Sequence, residues 1–260
     1  MRRALLLLAL WPVLSSAADT RPAPLPGPLA APKFKLPPTV TKTLSNGLRV
    51  VVATNPEVPL WDVRLVFDVG GFADPAGKEG LASVTFDMLN EGAAGMTAED
   101  LSRELKKLGS TVWTGADEDG AVASGTGLTR NLAPTLDLLA KVVLQPDFPA
   151  GDWAVLQRQR LADLAAAKQD PVGIMARVTP KVIYGDTYRG RLVSEASLTA
   201  ITPEDMKAWY AANVGPQNAI LLVGGAVSAD ALVPLLEARF GTWKPEGVQD
   251  PKPEPAIAPG

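Results

Sequence analysis

Apolar and polar positions recur with clear periods between residues 41 and 243, and they outline a sequence of elements. Asn46-Gly47 is a turn signal, and the apolar run at 48–52 behind it reads as a strand. WDVRLVFDV at 61–69 alternates in steps of two, which predicts a second strand ended by Gly70 and Gly71. GLASVTFDMLNEG then predicts a helix over 81–90, with Leu81, Val84, Met88 and Leu89 on its packing side. Thr97 caps a further helix, with Asp100 three residues on in a capping-box arrangement and Leu101, Leu105 and Leu108 on the buried side. Strands at 111–114 and 121–126 flank GADEDG. Helices follow at 132–144 and 152–168; Pro171 interrupts the second, and a short continuation runs to about Val182. Thr202-Pro203-Glu204-Asp205 is a complete helix start, 219–223 is a buried strand, and Ser228 opens a last helix that closes at Phe240. Paired strands interleaved with helices, without a regular βαβ repeat, predict an α+β fold. It would hold a mixed or antiparallel sheet with helices mainly on one side.

The flanks differ in kind. MRRALLLLALWPVLSSAADT has the positive, apolar and small-residue order of a secretory signal, assigned to residues 1–18. No later stretch reaches the length needed to cross a membrane. A proline-rich spacer is expected over 19–40, the folded domain over 41–243, and a proline-rich linker or tail over 244–260. The expected destination is the periplasm or cell envelope.

Composition narrows the chemistry. The chain has 260 residues, no cysteine and no histidine. That removes disulfides, thiol catalysis, His-based zinc sites and every Ser-His triad. The net charge of -3 becomes about -5 once Arg2 and Arg3 leave with the signal. Such an acidic surface, without basic clusters, argues against nucleic acid as a partner.

Ser83, Phe86 and Asp87 stand at i, i+3 and i+4 on the helix over 81–90. Two ligands and a catalytic acid at that spacing would make a metallohydrolase; a serine, a phenylalanine and an aspartate do not. Lys78 in its glycine-flanked loop reads as solvated, not as a deprotonated base for Ser83. Asp117-Glu118-Asp119-Gly120 reads as a solvated turn, since it lacks the alternating oxygens of a calcium loop. Arg158, Arg160 and Asp163 read as local solvated charge.

Several segments together resemble the N-terminal half of the M16 peptidase family, the pitrilysin, insulinase and mitochondrial-processing type. TKTLSNGLRVVVA resembles the family's opening, and WDVRLVFDVGGFADPAGKEGLAS resembles its second strand and the loop before the zinc helix. VIYGDTYRGRLVSEASLTAITPEDMKAWYAANVGPQNAILLVGG and FGTW resemble its later segment and close. In active members, a His-x-x-Glu-His motif supplies two zinc ligands and the base, and a downstream glutamate is the third ligand. Laid on this chain, those positions fall at Ser83, Phe86 and Asp87, with the fourth near Asp163. The resemblance therefore implies a catalytically degenerate member that carries neither metal nor other cofactor.

Two oxygens, on Asp87 and Asp163 across two packed helices, would be thin for zinc and better suited to a loosely held hard cation, and an ordered metal there is not expected. Asp87 is then expected to be solvated or bonded to a nearby donor, and Phe86 to fill the space vacated by the metal. The resemblance also implies a heterodimer. Its partner would be an active zinc peptidase subunit carrying His-x-x-Glu-His, with the peptide lying near Thr111, Trp113, Gly115, Ala116 and Asp117. The alternatives are a stand-alone envelope peptide-binding or scaffold protein, and a peptidase with unrecognised metal-dependent chemistry.

Overall fold

The computed structural model describes residues 37–244, together with Gly27 and Val248. The expected signal segment, most of the proline-rich spacer and nearly all of the C-terminal tail lie outside the described residues.

Strand β1 (Thr39–Thr43) pairs antiparallel with β2 (Arg49–Thr54) across the Asn46-Gly47 turn. The sheet thus begins at Thr39, two residues inside the expected spacer, because β2 offers an edge on which Thr39 and Val40 pair. Strand β3 (Leu60–Phe67) alternates in burial, with Trp61, Val63, Leu65 and Phe67 facing inward. Helix α1 (Leu81–Met88) follows, then the short hairpin β4 (Gly92–Ala93) and β5 (Met96–Thr97).

Helix α2 (Ala98–Leu108) carries the predicted capping box between Thr97 and Asp100. Strands β6 (Thr111–Ala116) and β7 (Ala121–Leu128) form an antiparallel pair. Helices α3 (Leu132–Leu144), α4 (Ala150–Ala167), α5 (Pro171–Tyr184), α6 (Glu195–Ala200) and α7 (Pro203–Asn213) come next. Strand β8 (Ala219–Gly225) and helix α8 (Ala229–Phe240), capped by the Ser228 hydroxyl, complete the order.

The six-stranded sheet runs β1-β2-β8-β3-β7-β6. Only β2 and β8 are parallel, so the sheet is mixed, as expected. Its inner face joins Val50, Val52, Leu65, Leu221, Val223 and Ala123 to the helices. Its opposite face carries Arg64, Thr126 and Trp113 to solvent, the arrangement of a sheet covered on one side. No helix of the described residues is long and apolar enough to cross a membrane.

Strand β6 ends the sheet at one side, and this edge positions the site. Its Thr114 hydroxyl donates to the Phe86 carbonyl at 2.6 Å, and Asn90 Nδ2 donates to the Thr114 hydroxyl at 2.6 Å. The last turn of α1 is thereby fixed against the edge strand.

Candidate site at the junction of α1, α4 and β6

The entry to α1 explains its placement. Gly80 caps the helix at φ 98°, a left-handed conformation that favours glycine, and an added Cβ would press on Val193 at 3.2 Å. The buried Asp74 carboxylate accepts from the Gly80 and Ala82 amides, each at 2.8 Å, so it satisfies donors that the first helical turn leaves open. Burial pushes this carboxyl up to about 7, against the opposing effect of the backbone bonds from Ala82, Gly80 and Leu81. Lys78, half-buried, forms an ion pair with Asp205 of α7 at 2.5 Å and holds that carboxylate below its usual range. The distant α7 supplies a partner that local sequence could not show.

The expected zinc positions part company in the fold. Ser83 and Asp87 face an open groove of about 460 Å³, whose other wall is Trp113 and Gly115 of β6 and whose floor includes Val122. Phe86 does not fill that space. It turns inward, is fully buried, and meets Phe67, Trp209 and Tyr210 with ring centroids 5.6, 6.4 and 6.0 Å away. The physical reason is the aromatic core: i+3 lies only about 60° round the helix from i, at the border of the groove, and the three rings draw Phe86 inward. Tyr210 completes that core by donating its hydroxyl to the Val143 carbonyl at 2.8 Å.

Asp87 and Asp163 line different grooves. Asp87 accepts from Arg160 of α4. Arg160 is therefore not a locally solvated charge; it reaches across to α1, and its Nε is buried without a hydrogen-bond partner among the described residues. Asp163 is exposed and borders a neighbouring groove of about 350 Å³, with Arg160, Leu164 and Arg177. Glu91 lies close enough for burial, then Asp152 and Asp87, to raise its carboxyl. Arg160 is the functional residue whose role the sequence did not reveal. Its signal was present: it precedes Asp163 by three positions, hence lies on nearly the same face of α4.

This donor set does not fit a zinc ion. Phe86 offers no lone pair and no base, Asp87 is engaged by a guanidinium, and Ser83 is a weak ligand. Among the described residues no group of three or more histidine, cysteine, aspartate or glutamate side chains converges on one point.

The acidic turn after β6 is also more than a solvated loop. Asp117 Oδ1 accepts from the Asp119 and Gly120 amides at 2.9 and 2.8 Å. Asp119 accepts from the Tyr188 hydroxyl and Arg189, both at 2.8 Å, and the Asp117 and Glu118 carbonyls accept from Gly71 and Phe72. The chain after α5 thus clasps the turn. Of the expected peptide-contact residues, Thr111, Trp113 and Asp117 are exposed, Ala116 is half-buried and Gly115 is buried. Trp113 is 58% exposed, with its six-membered ring lying over Gly115. A Cβ there would stand 2.7 Å from that ring, so only glycine lets the indole lie so close to the strand.

The family model described as Insulinase (Peptidase family M16) matches residues 49–198, and that of the Peptidase M16 inactive domain matches residues 200–259. The probable mitochondrial-processing peptidase subunit beta of Schizosaccharomyces pombe is 24% identical over 221 residues, covering 82% of this chain and 47% of that protein. The crystal structure of a peptidase M16 inactive domain from Pseudomonas fluorescens superposes with a TM-score of 0.76 at 30% identity, covering 85% of this chain and 54% of the other. The periplasmic protease PqqL from Escherichia coli shares the fold, with a TM-score of 0.70 at 22% identity over 84% of this chain and 24% of its own. The chain spans about half the length of the curated relatives it matches. A model match that covers more than half of the chain, and the fold in common, make this chain a member of the M16 peptidase family.

Proposed function

We propose that this chain is a non-catalytic M16 half-domain. It would hold an extended peptide along β6 and complete the peptide-binding chamber of an active zinc peptidase subunit. The observation that carries the reading is the split fate of α1. Phe86 stands in the aromatic core and Asp87 is engaged by Arg160, while the groove between α1 and β6 stays open. Among the described residues, the acids facing that groove are Asp87, which Arg160 engages, and Asp117, which accepts from the amides of its own turn; on this reading peptide would bind there without being cut by this chain.

Edge strand β6 suits such a ligand. Among the described residues no strand pairs with its outer side, so its backbone can take an added strand. Trp113 provides an apolar platform for one side chain of that strand. The relatives named as subunits of a processing peptidase support pairing with a second chain. The N-terminal pattern and the periplasmic neighbour PqqL support export to the periplasm or envelope.

Native mass measurement of the complex, gently purified from the envelope, tests the pairing. The expected result is this chain together with one that carries His-x-x-Glu-His. A monomer that binds peptide alone would favour a stand-alone envelope binding protein instead.

A further inference from the structure

A second groove, of about 350 Å³, lies beside the peptide groove, between α1, α4 and α5. The two share Ser83 and Arg160, so a side chain of a peptide lying along β6 can reach over Ser83 from one into the other. Buried Val84, Leu164 and Leu198 give the second groove an apolar lining. Its ionisable side chains are Arg160, Arg177 and Asp163, so positive charge exceeds negative there. Asp87, which engages Arg160, lines the peptide groove instead.

The fold sets the two arginines on different walls at a similar depth. Gly173 packs so closely on the end of α4 that an added Cβ would stand 2.6 Å from the Ala167 carbonyl oxygen. Arg160 stands seven residues before Ala167, where α4 ends, and Arg177 six after Pro171, where α5 begins. At about 1.5 Å per residue, both lie roughly 10 Å from the joint between the helices. Each has donors left over, since a guanidinium carries five N–H groups. Arg160 uses Nη2 on Asp87, and Arg177 uses Nη2 on the Val193 carbonyl. Arg160 Nε is buried without a partner among the described residues, a desolvated donor that no acceptor offsets.

From these two guanidinium groups beside an apolar lining, we infer that the groove selects a glutamate side chain of the bound peptide. Its methylenes lie on Val84, Leu164 and Leu198, and its carboxylate is taken by Arg160 and Arg177. Charge-assisted bonds from a guanidinium to a carboxylate are among the stronger hydrogen bonds in proteins. Once Arg160 turns towards the groove, the carboxylate also gives Nε an acceptor. A lysine would meet two positive groups, and an apolar side chain would leave the donors unpaired. Asp163 is exposed, so solvent weakens its repulsion. The inference rests on peptide binding along β6, as proposed above, and adds which side chain the site prefers.

The test is fluorescence anisotropy with the purified full chain and labelled extended peptides of one neutral sequence, capped at both ends. One glutamate is moved along the sequence, and each peptide is compared with its glutamine and lysine counterparts. The expected result is one position at which glutamate binds about tenfold more tightly than glutamine, and lysine more weakly than either. The advantage should shrink with added salt. R177M, shown to be folded by thermal unfolding, should bring glutamate and glutamine close to equal, whereas W113A should weaken both and keep their ratio. Equal binding of glutamate and glutamine at every position, or a preference for lysine, would overturn this inference and leave peptide binding intact; that comparison needs no variant. A glutamate advantage that survives R177M would overturn the assignment to this groove. A gain from an uncapped C-terminal carboxylate, with none from glutamate, would overturn the choice of a side chain. No saturable binding of any peptide would overturn the proposed function and this inference with it.

Discussion

Arg160 on α4 donates to the Asp87 carboxylate on α1, a contact between residues 73 positions apart. These are the two helices that the family resemblance would join through a metal. Here one guanidinium and one carboxylate join them. The Asp87 side chain is about a quarter exposed, and Glu91 adds negative charge nearby.

Replacing Arg160 with methionine should therefore cost about 1–2 kcal/mol, since it leaves a partly buried carboxylate unpaired while solvent screens the remainder. Asp87→Asn should cost less. A double-mutant cycle read by urea unfolding should give a coupling of about 1 kcal/mol.

Rebuilding the motif tests the roles of Phe86 and Asp87 together. S83H/F86E/D87H places a carboxylate where Phe86 now packs against three aromatic rings and removes the partner of Arg160. A cost of about 3 kcal/mol or more follows, which lowers Tm by roughly 10 °C for a domain of this size. A thermal scan with zinc present measures it. Phe86→Ala alone should cost about 3–5 kcal/mol from the cavity it leaves.

Gly115→Val should displace the Trp113 indole, because the added Cβ would lie 2.7 Å from the ring. Peptide affinity should fall about tenfold, and W113A should lose a similar amount, as expected for one aromatic platform. Fluorescence anisotropy of a labelled extended peptide reads both.

Asp74 should make stability depend on pH. Burial raises its carboxyl from 3.8 to about 7, so the folded chain binds more protons than the unfolded chain between those values. Its contribution is then fully present below about pH 4 and is lost as pH rises through 7, on the order of a few kcal/mol. Urea unfolding from pH 4.5 to 7.5 should show wild-type stability falling relative to D74N. The difference in slope matters here, since D74N also weakens the cap of α1.

Local signals made much of the fold legible. The capping boxes at Thr97–Asp100 and Thr202–Asp205, the Ser228 cap and the span of α3 are all near-neighbour effects, and the structure has them where the pattern puts them. Short elements were less visible. Helix α6 has six residues and a Ser194–Ser197 capping box without an acidic partner, and β1 begins inside a proline-rich run. Insertion of β8 between β2 and β3 is a long-range choice that strand patterns do not encode. The site failed in the same way. Spacing on α1 placed Ser83 and Asp87 together, but the partners of Asp87, Lys78 and Asp119 come from α4, α7 and the turn after α5. Spacing alone sets Phe86 beside Ser83, since i+3 is near i on a helix; the aromatic core draws it the other way.

The proposed function requires that the groove between α1 and β6 hold peptide without cutting it. The direct measurement is mass spectrometry of an extended peptide incubated with the purified chain and zinc, beside a binding titration of the same peptide. The expected result is saturable binding, weakened by W113A, with the peptide mass unchanged throughout. Cleavage that disappears with Asp87→Asn or Asp163→Asn would contradict it.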